Sequence, residues 1–243
     1  MIDIRLSLMC GTDIPVPKCA PLIAHQPKLK EIALIGEKDF FIGIQTLGLN
    51  KSLYVKDESL LATTSNFQIF MTIMSEKEGA EKKYAVQQVC TLFFPNYKLT
   101  FTPRSLIFIR DGETITIDEN NFNGLQAVIR EVCCLKDGPM DQQAFNPADD
   151  RAREIAEKLM EGRQKVAESK GQSNISIFSQ YLSILTVGLH SMSLQDATDL
   201  TMFQLYDLVE RYMLYINWDM DIRSRLAGGK PESQPDNWMK SIH

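Results

Sequence analysis

The charged residues near the end of the chain have types and spacing that could do chemistry. Two aspartates and then two arginines occupy every second position of a predicted helix, namely Asp219, Asp221, Arg223 and Arg225. Paired carboxylates can carry out acid–base steps or hold a metal ion. Residues two apart on a helix do not face each other, however. Ion pairing, with the arginines favourably placed at a helix C-terminus, explains the pattern better. The arginines could also bind an acidic partner surface.

The other chemical motifs are incomplete. Gly228-Gly229-Lys230-Pro231 lacks the Ser or Thr that follows the lysine of a phosphate-binding loop, and a helix precedes it instead of a strand. The cysteines form no Cys-x-x-Cys pair; they are Cys10, Cys19, Cys90, Cys133 and Cys134. The histidines, His25, His190 and His243, lie far apart. We therefore predict no catalytic residue, no metal and no cofactor, and expect that the protein is not an enzyme.

Composition indicates a globular protein and argues against two classes of partner. Of the 243 residues, 44% are hydrophobic and 23% are charged, which suits a chain with two modest cores. The net charge of −5 disfavours a nucleic-acid partner and an anionic membrane surface. An odd number of cysteines favours a reducing compartment. No signal peptide and no membrane-spanning run is recognisable, so we predict a soluble intracellular protein.

The first 135 residues predict a mixed α/β domain. Alternating Ile and Leu at positions 2–8 predict an opening strand. Helical spacing begins at Lys28, and its glycines indicate two short helices. Ser65-Asn66 is the predicted cap of the next helix, and a further helix is predicted over residues 80–94.

The clearest β pattern lies in residues 99–117. It predicts a small antiparallel sheet with a hairpin over 105–117, because Asp111-Gly112 supplies the positive φ angles of a two-residue turn. A helix follows this sheet, capped by Asp118 or Asn120, and ends near residue 135.

The rest of the chain predicts an all-α domain, so the fold class is α+β. Residues 136–147 contain Gly and Pro without apolar periodicity and predict a linker. Residues 148–243 then predict a helical domain with a C-terminal docking tail. Its helices are expected to end near residue 170, to span 175–189, and to run from 202 to 226.

The third of these helices, residues 202–226, is rich in aromatic and Met side chains. Thr201 is its predicted cap, and Gly228-Gly229 its stop. Core packing is the default explanation for these side chains, but about 95 residues have limited capacity to bury them. Surplus aromatic residues, Met and Arg are typical of adaptable interfaces.

The tail is too short to form its own core, so it either folds back on the helices or docks on another chain. The candidate partner-binding residues of the helix and the tail are Phe203, Tyr206, Tyr212, Tyr215, Trp218, Arg223, Arg225, Trp238 and Met239.

Several motifs resemble those of a group of gut-bacteriophage and prophage proteins. They are Pro-Lys-Cys-Ala-Pro-Leu-Ile-Ala-His-Gln-Pro at 17–27, Phe-Pro-Asn-Tyr-Lys-Leu-Thr-Phe-Thr-Pro-Arg at 94–104, Leu-Thr-Met-Phe-Gln-Leu-Tyr-Asp-Leu-Val-Glu-Arg at 200–211, and Asp-Ile-Arg-Ser-Arg-Leu-Ala-Gly-Gly-Lys-Pro at 221–231. Members of this group look like tail assembly chaperones of long-tailed phages. Such chaperones coat the tape measure protein until tail tube subunits polymerise around it.

The resemblance implies a non-enzymatic chaperone that acts in the host cytoplasm. Its implied partners are the tape measure protein or the tail tube protein, with a second copy of the chain as a further partner in a homo-oligomer. Nucleic acid and membrane are not expected as partners. The alternative is a structural virion protein, such as a neck, ring or tail-completion adaptor, which would reside in the virion.

Overall fold

A computed structural model describes residues 4–55, 57–76, 79–135, 176–189, 192–229 and 237–239. The fold is α+β, as predicted: helices and small antiparallel sheets form the N-terminal part, and helices form the C-terminal part. The predicted linker at 136–147 and the predicted helix ending near residue 170 lie outside the described residues and stay predictions.

The helices, in chain order, are α1 (Ile4–Cys10), α2 (Leu29–Ile35), α3 (Glu37–Leu47), α4 (Glu58–Thr63), α5 (Asn66–Ser75), α6 (Ala80–Phe93), α7 (Phe122–Val132), α8 (Ile177–Gly188), α9 (Leu194–Thr198) and α10 (Met202–Leu226). The strands are β1 (Ile14–Pro15), β2 (Ile23–Ala24), β3 (Lys98–Thr102), β4 (Ser105–Arg110) and β5 (Glu113–Ile117). Strands β1 and β2 pair with each other, and β3, β4 and β5 form an antiparallel meander.

The meander confirms the predicted sheet and hairpin. Asp111 and Gly112 have φ angles of 50° and 84°, which is the geometry of a tight two-residue turn. Phe108 of β4 pairs with Ile115 of β5, and Leu106 pairs with Ile117. These four side chains are buried, so one face of the sheet covers the core.

The predicted opening strand is wrong, because residues 4–10 form helix α1. Only Leu8 of this helix is buried. Leu, Met and Arg all favour a helix, and an alternation over four apolar positions is too short to outweigh that preference. The helix packs against α10, where Gln204 Nε2 donates a hydrogen bond of 2.7 Å to the carbonyl oxygen of Met9.

The predicted cap of α7 is also wrong. Asn121, not Asp118 or Asn120, occupies the N-cap position, and its side chain makes no capping bond. Instead the Asn121 amide accepts from the Asp118 N–H at 2.8 Å and donates to the Thr116 carbonyl at 2.9 Å. Asp118 in turn accepts from the Asn120 N–H at 2.8 Å. The three residues therefore close the turn between β5 and α7 before the helix begins.

The described C-terminal helices share one hydrophobic core with the N-terminal part. Phe178 of α8 is buried against α3, with its ring stacked on Phe41 at 5.3 Å and tilted against Phe40 at 6.3 Å. The Glu37 carboxylate accepts from the Ile177 N–H at 2.8 Å at the start of α8. The base of α8 is thus fixed on α3.

The start of α10 is attached to the N-terminal part by main-chain bonds. Leu29 N–H donates to the Leu200 carbonyl at 2.9 Å, and Lys28 forms an isolated β-bridge with Thr201. Asp199 lies beside Lys30 and Lys28, and the hydrogen bond from Lys30 is the main cause of its lowered pKa. This attachment fixes where α10 leaves the body of the protein.

The predicted cap of α10 is confirmed: Thr201 forms a capping box with Gln204. The Gln204 N–H donates to Thr201 Oγ1 at 3.3 Å, and the Thr201 N–H donates to Gln204 Oε1 at 2.9 Å. Replacing Thr201 with Ala leaves the first of these donors without its partner and should lower the free energy of unfolding by about 1 kcal/mol. Thr201→Ser keeps the hydroxyl and should retain most of the stability. Urea denaturation of both variants checks this, and an equal loss in the two would contradict the capping role.

Candidate partner-binding surface

Helix α10 has two halves with different surroundings. Its fully buried residues all belong to positions 202–214, which we call the proximal half; they are Met202, Phe203, Leu205, Asp207, Val209 and Leu214. In the distal half, residues 215–226, no residue is fully buried. At 1.5 Å per residue the distal half is about 18 Å long. The buried positions of α10 are therefore confined to its proximal half.

The predicted partner-binding residues of the proximal half pack inside the chain. Phe203 is buried in the shared core. The Tyr206 ring makes an edge contact with Tyr181 at 5.7 Å, and burial raises the pKa of its hydroxyl. Tyr212 lies so close to Gly188 that a Cβ there would be 2.2 Å from the ring Cζ. Tyr206 and Tyr212 thus contact α8, and none of the three aromatic residues is exposed.

The aromatic residues of the distal half lie on one side of the helix and remain partly exposed. Tyr215 and Trp218 are three residues apart, and their ring centroids are 6.2 Å apart. Tyr215 has 41% of its surface exposed, and Trp218 is half-buried. Arg211 precedes Tyr215 by four residues and lies on the same side. We call Arg211, Tyr215 and Trp218 the aromatic face.

The C-terminal tail folds back onto this aromatic face. The ring centroid of Trp238 lies 5.6 Å from that of Tyr215 and 6.4 Å from that of Trp218. Arg211 Nη1 donates a hydrogen bond of 2.7 Å to the Trp238 carbonyl oxygen. Of the two alternatives for the tail, folding back is thus the one that the structure shows for Trp238. Met239 next to it is exposed.

The arginines of the distal half are paired with the aspartates one helical turn before them. Arg223 Nε lies 2.7 Å from Asp219 Oδ2, and Arg225 donates to Asp221 Oδ2 from both Nε and Nη2 at 3.1 Å. Both are i,i+4 pairs, so the expected ion pairing within the helix is confirmed. Arg223 is exposed, while Arg225 is half-buried.

Sequence reasoning missed three residues of this surface. Leu226 is 83% exposed and Met220 is also exposed, although neither was a candidate. Arg211 was missed because its role depends on the tail, which is distant in sequence. The spacing 211, 215, 218, 222, 226 follows one helical stripe and would have identified Arg211 and Leu226.

The buried thiols are held in their protonated form, which opposes a nucleophilic role. Burial raises the pKa of Cys90 to about 12, and it also raises the pKa of Cys133. Cys19 is buried as well, and its pKa is raised for the same reason. Cys10, by contrast, is exposed on α1.

Alkylation of the native protein should follow this pattern. With iodoacetamide at pH 8, we expect Cys10 to react at least about tenfold faster than Cys90, because only the thiolate reacts and, of these two thiols, only that of Cys10 is accessible. Peptide mass spectrometry of timed samples measures the two rates, and a urea-unfolded sample gives the control in which they should converge. Equal rates in the native protein would contradict the burial of Cys90.

One cluster of charged groups outside α10 was not anticipated. His25 lies between two carboxylates, with Nδ1 3.0 Å from Asp13 Oδ1 and Nε2 3.5 Å from Glu31 Oε2. All three side chains are partly or largely exposed to water, where ion pairs contribute little to stability. The cluster ties the turn before β1 to α2.

The described part of the chain contains no group of His, Cys, Asp or Glu side chains that could hold a metal ion. An open groove in this part of the chain has Lys18, Cys19, Glu113 and Asn121 in its lining. Among the described helices, none combines the length and the apolar character that crossing a bilayer requires.

Comparison with known families gives one match, to the model of the YomV second domain, over residues 170–243. This is a phage-associated domain. The comparison with curated proteins gives no match, and neither does the comparison with solved structures. The matched region contains α8, α9, α10 and the tail, and thus the whole aromatic face. The C-terminal part of this chain is therefore similar to a phage-associated domain, which agrees with the resemblance to phage proteins.

Proposed function

We propose that the protein is a non-enzymatic tail assembly chaperone of a long-tailed bacteriophage. It binds the tape measure protein, the tail tube subunits or both in the host cytoplasm. The supporting observation is the distal half of α10, in which no residue is fully buried and Tyr215, Met220 and Leu226 are exposed. The similarity of residues 170–243 to a phage-associated domain supports a phage setting for this surface.

The physical requirements of the role fit such a helix. A tape measure protein is a long helix with an apolar stripe and would aggregate if left bare. A partner that covers it needs apolar side chains that adapt to an imperfect stripe, and Met and aromatic residues do so. Helix-on-helix docking uses anchors at i, i+3, i+4 and i+7. Tyr215, Trp218, Ile222 and Leu226 follow the same three- and four-residue steps on the distal half, at i, i+3, i+7 and i+11.

The net charge of −5 suits a carrier present at high copy number. Like-charged copies repel each other, so they stay dispersed. Neither nucleic acid nor a membrane surface is a partner in this proposal.

Co-expression with the tape measure and tail tube proteins of the same phage tests the proposal. The tagged wild-type chain should retain at least one of them on an affinity column. Tyr215→Ala should reduce the retained amount about tenfold or more, since an aromatic anchor carries much of the energy of an interface. Tyr84→Ala is the control, because Tyr84 is also an exposed tyrosine but lies on α6. Retention of neither partner by the wild-type chain would contradict the proposal.

The alternative is a structural virion protein, such as a neck, ring or tail-completion adaptor. Exposed apolar side chains on other surfaces favour it, among them Leu6, Leu34 and Leu60, because a ring subunit contacts several neighbours. A second copy of the chain would then be one partner. Mass spectrometry of purified virions separates the two functions: stoichiometric presence supports the virion protein, and absence supports the chaperone.

A further inference from the structure

The contact between Trp238 and α10 has the features of a peptide-recognition site. The Trp238 ring meets Tyr215 at an interplanar angle of 79°, which is the edge-to-face arrangement that aromatic pairs prefer. It meets Trp218 at 51°. Tyr215 and Trp218 therefore both contact one further aromatic ring, which packs against them.

The hydrogen bond in this contact is made to the main chain of the tail and not to a particular side chain. Arg211 donates to the carbonyl oxygen of Trp238, a group that every residue carries. Met239, by contrast, is exposed, and its N–H donates within the tail to Asn237 Oδ1 at 3.0 Å. Among the described tail residues, Trp238 alone makes the ring contacts with α10. The aromatic face thus accepts an aromatic ring together with the carbonyl of the same residue.

A competing segment can also displace Trp238 from the aromatic face. Tyr215 keeps 41% of its surface exposed with Trp238 in place, so the tail covers the face only in part. The tail is joined to the end of α10 by a short stretch of chain, and such a tether gives an effective concentration of the order of millimolar. A weak contact is enough to keep the face occupied under these conditions. A partner with a larger interface can displace it.

We infer that the aromatic face is a recognition site for a tryptophan-bearing segment of a protein partner, and that Trp238 of this chain occupies the site until that segment displaces it. The identification of the partner with a phage tail protein rests on the proposed function. The inference that the aromatic face recognises a tryptophan-bearing segment does not rest on the proposed function. Removing the Trp238 ring therefore opens the site, whereas removing the Tyr215 ring destroys it.

A fluorescein-labelled peptide of residues 234–243 is the probe, because it carries the one aromatic anchor known to fit. Anisotropy titrations use the full-length chain. Trp238→Ala should bind the peptide about tenfold more tightly than the wild type, since the tethered competitor is gone. The double variant Trp238→Ala, Tyr215→Ala should lose this binding. A peptide with Ala in place of its tryptophan should not bind.

Met239→Ala is the matched control in the same tail and should behave as the wild type does, because Met239 is exposed. Equal peptide affinity in the wild type and Trp238→Ala would overturn the inference, as would undiminished binding by the double variant. Failure of the wild-type chain to retain a tail protein overturns the proposed function alone. The peptide titration still decides whether the site recognises a tryptophan segment, so the two failures are distinguishable.

Discussion

Phe178→Ala is expected to lower the free energy of unfolding by about 3–5 kcal/mol, the usual cost of removing a buried phenylalanine ring. Phe178 is the buried residue at the base of α8, where its ring packs on Phe40 and Phe41 of α3. Removing it leaves a cavity between the N-terminal helices and the helix that supports α10. Urea denaturation followed by circular dichroism measures the effect.

Val187→Ala is the control for this prediction. Val187 lies near the other end of α8 with 70% of its surface exposed, so its loss should change stability by less than about 0.5 kcal/mol. If the two variants lose similar amounts, α8 is not anchored through Phe178. The attachment of α10 to the body would then need another explanation.

Gly43→Ala should destabilise the protein by about 2 kcal/mol. At an exposed helical site the same change would stabilise by about 1 kcal/mol, because Ala is the better helix former. Here a Cβ would lie 2.6 Å from the Ala85 carbonyl oxygen and 2.5 Å from Val89 Cγ2, so α3 and α6 would have to move apart. Such overpacking costs about 1–3 kcal/mol, and more where backbone must shift.

Whether Gly43→Ala lowers or raises the free energy of unfolding tests the close approach of α3 and α6. Thermal or urea denaturation of Gly43→Ala should give a lower midpoint than the wild type. Thr91→Ala, at an exposed position of α6, should be close to neutral and serves as the control. A stabilised Gly43→Ala protein would show that the close approach of α3 and α6 does not occur.

The glycines in and around α2 and α3 show what the sequence could predict about the fold and what it could not. Gly36 and Gly48 end α2 and α3, as their spacing indicated, and Gly36 has a φ of 87°. Gly43 likewise weakens the helical pattern of the sequence, yet it lies inside α3. Its role depends on α6, which is forty residues away, so no local pattern could reveal it. Caps and turns depend on neighbours in sequence, which is why Thr201 and Asp111-Gly112 were predicted correctly.

The candidate surface was predicted in outline only. Residue types identified α10 as aromatic-rich, but the division at residue 214 depends on which side chains meet α1, α7 and α8. Phe203 and Tyr215 look alike in the sequence, and packing alone makes the first a core residue and the second a surface residue. The fold of the tail onto Arg211 is likewise a contact across 27 positions. Periodicity carries no information about such pairs.

Photo-crosslinking from Tyr215 tests most directly whether the distal half of α10 is the partner-binding surface. Benzoylphenylalanine replaces Tyr215 in one chain and Tyr84, which is more exposed, in a control chain, and both are irradiated in phage-infected cells. We expect crosslinks to the tape measure or tail tube protein from position 215 and none from position 84. Crosslinks to either protein from position 84 alone, or none from position 215, would contradict the assignment of this surface.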